Sequence, residues 1–287
     1  MSADGTIAWA TLLQEATERL GAMDARRIVE EITEAEPGGL HRVLDDLVTE
    51  RGIARFDTMV QRRADGEPLQ YVLGRWGFRT LDLMVDSRVL IPRPETEVVA
   101  GFAIDVVQSL AKNRVGDVLA ADLGCGSGAI ALSIAVECPT SRVFATDAST
   151  EALVVARANL SGIGRAATRV SVSEGGWFEA LPEAVRGHLD VVISNPPYVA
   201  DEEVLPDVVA DWEPAQALRS GSDGLDDLRH IVDEAGAWLA QRGTLILEMA
   251  PDQTETVVEW CRQLSFEAEI RPDLAGRPRA VVARKEH

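Results

Sequence analysis

Lysine is almost absent from this chain: only Lys112 and Lys285 occur in 287 residues. Arginine does not make up the difference, since 28 basic residues face 47 acidic ones and the formal net charge is −19. Proteins hold a phosphate backbone chiefly through Lys and Arg that displace its counterions, so no direct nucleic-acid partner is expected. The acidic surplus is spread along the chain, which suits solubility or a basic protein partner. Cysteine is scarce as well. Cys125, Cys138 and Cys261 are widely spaced and contain no CxxC, which argues against a disulfide framework or a zinc site and fits a reducing cytoplasm. No run approaches the ~18 consecutive apolar residues of a membrane-spanning helix. The opening stretch, MSADGTIAWATLLQEATERL, carries acids and no basic region, so no signal peptide is expected. What remains is an ordinary globular composition, 46% hydrophobic and 26% charged, in a chain long enough for two domains.

Residues 1–72 read as a small helical domain. Trp9, Leu12, Leu13, Ala16 and Leu20 fall on one helical face. Asp24 is expected to cap a second helix carrying Ile28, Val29 and Ile32. Leu40, Val43, Leu44 and Leu47 continue the pattern, and Ile53, Phe56, Met59 and Val60 mark one more helix. Over 73–94 the period changes. Leu81, Leu83 and Val85 alternate with Asp82, Met84 and Asp86, and Val89-Leu90-Ile91 forms a second run before Pro92-Arg93-Pro94. This predicts a β-hairpin linker. From 95 to 287 strand and helix patterns alternate, with strands expected at 117–123, 142–146, 168–173, 189–194, 243–249, 266–271 and 279–284. Such alternation predicts an α/β fold, a mostly parallel sheet with helices on both faces. Ligands of these sheets bind beyond the carboxyl ends of the strands, where the strand order reverses.

Two features occupy such ends. The first is Asp122-Leu123-Gly124-Cys125-Gly126-Ser127-Gly128, a GxGxG loop that lets a ligand approach the backbone closely. The second is Asp147, after Val143-Phe144-Ala145-Thr146, where a carboxylate can accept both hydroxyls of a ribose. Asp147 could instead merely cap the next helix, although Ser149 or Thr150 could serve there. Loop and acid together point to an adenosine-type ligand. A third corner, Ile193-Ser194-Asn195-Pro196-Pro197-Tyr198-Val199, ends the fourth strand. Taken alone, Asn-Pro is a turn signal.

In this order, DLGCGSGAIAL, ATDAS and SNPPY resemble the class I S-adenosylmethionine-dependent methyltransferases, a Rossmann-like fold with a seven-stranded, mostly parallel sheet. GRWGF (74–78) and VLIPRPETE (89–97) narrow the resemblance to the bacterial peptide chain release factor glutamine N5-methyltransferases. It spans nearly the whole chain. The resemblance implies an S-adenosylmethionine site at Gly124, Cys125, Gly126, Ser127, Gly128, Asp147, Trp177 and Asn195. Without it, Trp177 and Phe178 read equally well as a core aromatic pair. Gly175-Gly176 stand where this family often has an acid before the aromatic, which leaves the adenine N6 contact unassigned. Asn195, Pro196, Pro197 and Tyr198 are expected to hold the substrate. The Asn195 side-chain oxygen and the Pro196 carbonyl would accept the two N–H groups of a glutamine amide, and Tyr198 would close the pocket. Asn195, Pro196 and Tyr198 are thus the expected catalytic residues, with no metal and no general base. Arg93, Glu95 and Glu97 are expected near the same site.

The implied reaction is methylation of the glutamine N5 in the Gly-Gly-Gln motif of class 1 release factors, with S-adenosylhomocysteine as the other product, by a cytoplasmic enzyme expected to be monomeric. Three alternatives stand beside it: a glutamine methyltransferase acting on a ribosomal protein, a DNA amino-methyltransferase, and a non-catalytic S-adenosylmethionine-binding scaffold. The acidic balance speaks against the DNA enzyme.

Overall fold

The structure, a computed structural model, describes residues 7–36 and 38–286; residues 1–6, Pro37 and His287 lie outside the described residues. The chain forms two compact units. One runs to Arg75 and takes in Asp207–Trp212; the other holds Trp76–Pro206 and Glu213 onward.

The first unit contains α1 (Trp9–Leu20), α2 (Ala22–Thr33), α3 (Glu50–Ala64) and the short α4 (Leu69–Leu73). Leu12, Ala16, Ile28, Val29, Phe56, Met59 and Val60 are buried, and Trp9 meets Phe56 edge-on at 6.4 Å between ring centroids. Two expectations differ here. Asp24 does not cap α2, which starts at Ala22 directly after Gly21; it lies in the first turn and accepts from Arg63 Nε at 2.6 Å. The apolar spacing over 40–47 gives only a single 3-10 turn, Leu40–Arg42, because Leu47 leaves that pattern for an isolated bridge to Ala8. Trp212 belongs to this unit, its indole nitrogen 3.8 Å from where a side chain at Gly66 would begin.

A two-stranded hairpin, β1 (Arg75–Phe78) and β2 (Leu81–Met84), follows. It lies one strand earlier than expected: β2 is its second arm, and Val89-Leu90-Ile91 is irregular backbone. The main sheet comprises β3 (Val118–Leu123), β4 (Ser141–Asp147), β5 (Val170–Glu174), β6 (Leu189–Ser194), β7 (Leu239–Glu248), β8 (Phe266–Pro272) and β9 (Pro278–Lys285), in spatial order β5-β4-β3-β6-β7-β9-β8. The first five are mutually parallel, and β9 runs antiparallel to both β7 and β8.

Helices α5 (Pro94–Ala111), α6 (Ala129–Glu137) and α7 (Thr150–Gly162) cover one face, where Val99, Ile104, Leu132, Leu153 and Ile193 share a core. The short α8 (Asp207–Ala210) is part of the first unit. Helices α9 (Asp226–Trp238) and α10 (Thr254–Gln263) cover the other face, with Leu123, Val192, Leu228, Ile231, Leu245 and Val257. Strands covered on both sides read as unbroken apolar runs, not as alternation, and all six residues of β6 are buried. Each fully buried Val, Leu or Ile contributes about 1.5–3 kcal/mol. Among the described residues no helix is long and apolar enough to cross a membrane.

Asn159 joins the hairpin to the glycine loop. Its Oδ1 accepts from Met84 N at 2.7 Å, and its Nδ2 donates to Met84 O at 3.0 Å and to Ser127 O at 2.9 Å. Asn159→Ala removes the partner of three backbone groups, of which Ser127 O is buried and those of Met84 are part-buried, so a loss of about 1–3 kcal/mol is expected. Urea unfolding would check this, and a loss within error of zero would mean that water replaces the side chain.

Candidate active site

The strand order reverses beside β3: the chain moves outward through β4 and β5, then returns to β6 on the opposite side. This leaves a crevice beyond the carboxyl ends of β3, β4 and β6. A cavity of about 310 Å³ occupies it.

The glycine loop forms its floor. Gly124, Gly126 and Gly128 have φ of +70°, +54° and +83°, a region that costs other residues roughly 1–2 kcal/mol each. A Cβ at Gly126 would meet nothing within 4 Å, whereas one at Gly124 would lie 3.1 Å from the Trp177 ring. Gly128 sits at the start of α6 against Leu132. Cys125 is buried and its thiol is pushed well above the usual range by desolvation, with Asp122 and Asp147 adding to the effect. It packs as an uncharged filler. Beneath the loop, buried Asp122 accepts from Ala131 N at 2.9 Å through one oxygen, while the other has no partner among the described residues. Burial pushes its carboxyl up to about 7.

Asp147 closes the side wall. Its two oxygens accept from Gly126 N and Ser149 N, each at 2.8 Å. Helix α7 is capped by Ser149, which accepts from Ala152 N, so Asp147 is spared that task. Burial raises its pKa, against which the two backbone bonds act. An ionised carboxylate offers about four lone-pair sites, so each oxygen can still accept a ligand hydroxyl. Trp177, held at φ +41°, stands over Gly124, and its carbonyl accepts from Thr146 Oγ1 at 2.9 Å.

Asn195 follows β6 at the cavity wall, its Nδ2 donating to Thr96 Oγ1 at 3.3 Å. The corner after it is backed by a second segment. Tyr198 N and Val199 N both donate to Leu218 O, and Ser220 N donates to Val199 O. Gln253 Nε2 donates to Tyr198 O at 2.9 Å and to Gly224 O at 3.3 Å. Arg93 pairs with the buried Glu213, which also accepts from Ile91 N at 3.1 Å. Glu95 pairs instead with Arg277 at 3.0 Å.

Gly124, Cys125, Gly126, Ser127, Asp147, Trp177, Asn195 and Pro197 come together around the cavity. Three other expected residues do not line it. Gly128 serves the helix start, Pro196 is buried, and Tyr198 packs against the core on the α9 and α10 face. Sequence reasoning passed over Thr96, which lies between the two acids singled out in PRPETE, and Glu248. The latter had a signal: a lone acid ending the apolar run Leu245-Ile246-Leu247. Ser194 pairs with Leu247, which sets Glu248 level with Asn195.

A glycine loop after the first parallel strand, an acid after the second and Asn-Pro-Pro-Tyr after the fourth, on this sheet order, define a class I methyltransferase. The Methyltransferase small domain matches residues 104–250, and the PrmC N-terminal domain matches residues 7–74. A release factor glutamine methyltransferase of Xylella fastidiosa (strain 9a5c) is 38% identical over 275 residues, covering 95% of this chain and 96% of that protein. Its counterpart in Streptomyces coelicolor is 38% identical over 283 residues, covering 94% and 96%. The chain belongs to the release factor glutamine methyltransferase family. The crystal structure of a methyltransferase from Pyrococcus furiosus shares the fold, with a TM-score of 0.52, 17% identity and coverage of 72% of this chain and 90% of that one.

Proposed function

We propose that this protein transfers a methyl group from S-adenosylmethionine to the side-chain amide nitrogen of the Gly-Gly-Gln glutamine of class 1 release factors. The observation that carries the reading is Asn195. Its amide nitrogen is engaged by Thr96, so its oxygen is left to a substrate, in the same cavity as the glycine loop and Asp147.

The donor set fits an adenosine-bearing cation. The open space above Gly126 admits a ligand against the backbone, Asp147 keeps acceptor capacity for ribose hydroxyls, and the Trp177 ring offers an apolar cover. When bound, S-adenosylmethionine supplies a methyl group on a sulfonium, which leaves as a neutral thioether once the nitrogen takes the carbon. A carboxamide nitrogen is a weak nucleophile because its lone pair is delocalised into the carbonyl. Asn195 Oδ1, accepting one substrate N–H, orients the amide and favours the positive charge that grows on its nitrogen. The Pro196 carbonyl, expected from the sequence as the second acceptor, belongs to a buried residue outside the cavity lining, so Asn195 Oδ1 is the acceptor on which the reading rests. Well-oriented pairs gain up to roughly 7–11 kcal/mol from placement alone, and the methylated nitrogen is acidic enough to lose its proton without a dedicated base.

Incubation with methyl-labelled S-adenosylmethionine and three candidates tests this: a release factor, its Gly-Gly-Gln→Gly-Gly-Ala variant, and duplex DNA. Label on the unaltered release factor alone is expected. Undiminished label on the variant, or label on DNA, would refute the assignment.

A further inference from the structure

Behind Asn195 lies a short polar chain that no sequence motif announces. Thr96 and Glu248 are 4% and 1% exposed. Asn195 Nδ2 donates to Thr96 Oγ1 at 3.3 Å, and the Thr96 hydroxyl lies beside the Glu248 carboxylate, where it lowers the pKa against the larger effect of burial. Among the described residues Glu248 Oε2 has no hydrogen-bond partner. A buried acid with an unpartnered oxygen is costly to keep, and it stands at the end of β7 level with Asn195.

Hydrogen-bond logic gives the chain a direction. An ionised carboxylate only accepts, a hydroxyl has one hydrogen to give, and a carboxamide has one accepting and one donating end. We propose that Thr96 and Glu248 are positioning residues for methyl transfer: ionised Glu248 takes the Thr96 hydroxyl hydrogen, so the Thr96 oxygen must accept from Asn195 Nδ2, and Asn195 Oδ1 is the end turned to the substrate amide. Protonated Glu248 removes the constraint. It becomes a donor to Thr96, the hydroxyl hydrogen is released to point at Asn195, and the amide is free to turn its nitrogen toward the substrate.

Burial pushes Glu248 up to about 7, so the constraint is in force above that pH and is lost below it. The charged groups around it are Arg279 on β9, and Arg93 and Glu95 at the start of α5. The two arginines favour the ionised form and Glu95 opposes it. Tyr198, beyond β6, has its own pKa raised, chiefly by burial and then by Glu248, and stays neutral throughout this range.

The inference deepens the proposed glutamine transfer, so one arm of its test needs no substrate. The Asn195 side-chain amide signals, identified by their loss in Asn195→Ser, are followed by nitrogen-15 NMR from pH 5.5 to 8.5. In the wild type they are expected to titrate with a midpoint near 7, and in Glu248→Gln to be flat. Signals that ignore pH in the wild type, or that titrate unchanged in Glu248→Gln, overturn the proposal whatever the substrate is. The second arm uses single-turnover kinetics on the release factor. Thr96→Val is expected to lower the transfer rate about 10–100-fold, the scale set by small misplacements of a reacting group, with S-adenosylmethionine affinity within about two-fold by calorimetry. Thr96→Ser should recover most of the loss. Glu248→Gln should lose the acid limb of the wild-type pH profile. A Thr96→Val rate within about two-fold of wild type, with native melting behaviour, overturns the proposal. If the amide titrates as expected but the release factor is not methylated, the substrate assignment falls and the positioning role stands.

Discussion

Replacing Asn195 by alanine is expected to lower methyl transfer by about 10²–10³-fold, the usual consequence of deleting one preorganised hydrogen-bonding group at a developing charge, while S-adenosylmethionine binding changes by only a few-fold. The asymmetry follows from where the contacts lie. The glycine loop, Asp147 and Trp177 hold their places through bonds that do not pass through Asn195: Gly126 N to Asp147, Ser149 N to Asp147, and Thr146 Oγ1 to the Trp177 carbonyl. Asn195 stands instead just after β6, with Thr96 behind it. Removing its side chain takes away the substrate acceptor and leaves the cofactor cradle intact. Single-turnover kinetics beside calorimetry separates the two effects. Lost cofactor binding with a proportionate loss of rate would make Asn195 a cofactor residue, and a rate within ten-fold of wild type would remove it from the reaction.

Gly224→Ala should be nearly as damaging although it touches no substrate. Gly224 has a φ of +73°, and a Cβ there would lie 2.4 Å from Tyr198 O, 3.0 Å from Ala200 N and 3.0 Å from Gln253 Nε2. Two of these are backbone atoms of the segment that follows Asn195, and the third is the amide that ties Tyr198 O to Gly224 O. None can yield without moving the corner. A destabilisation of about 3–5 kcal/mol is expected, above the ordinary range for single substitutions, with a roughly 10²-fold loss of rate because a shift near 1 Å suffices for that. Gly276→Ala is the control. Its φ is +79° but nothing among the described residues lies within 4 Å of the added carbon, so only the roughly 1–2 kcal/mol of left-handed strain applies. Equal unfolding free energies for the two variants would show that the corner is not wedged at Gly224.

Much of the catalytic unit was legible because its signals are local. A parallel strand covered on both faces must be an apolar run, as in Leu189–Ser194, and the loop's positive φ values are readily taken up by glycine. The hairpin was misplaced for a physical reason. Val89-Leu90-Ile91 has the apolar residues of a strand, yet prolines at 92 and 94 deny it ladder donors, and Val89 and Leu90 line the cavity instead. The true first arm, Arg75-Trp76-Gly77-Phe78, is four residues long with only Phe78 buried, too short and too exposed to show a period. Thr96 and Glu248 were not legible as a pair because 152 positions of sequence separate two residues whose meaning lies in their proximity. A buried acid becomes conspicuous only when its neighbours are known.

The segment Asp207–Trp212 belongs to the helical unit although the chain on either side of it does not. During synthesis, α1 to α4 therefore emerge without their last piece, and the ribosome must pass β3 to β6 before Trp212 appears. A fragment cut after Arg75 would be an incomplete body, with the surface that Trp212 covers left open. Exchange of helical units between relatives should accordingly fail when made at one junction and succeed only when residues 207–212 travel with the helices.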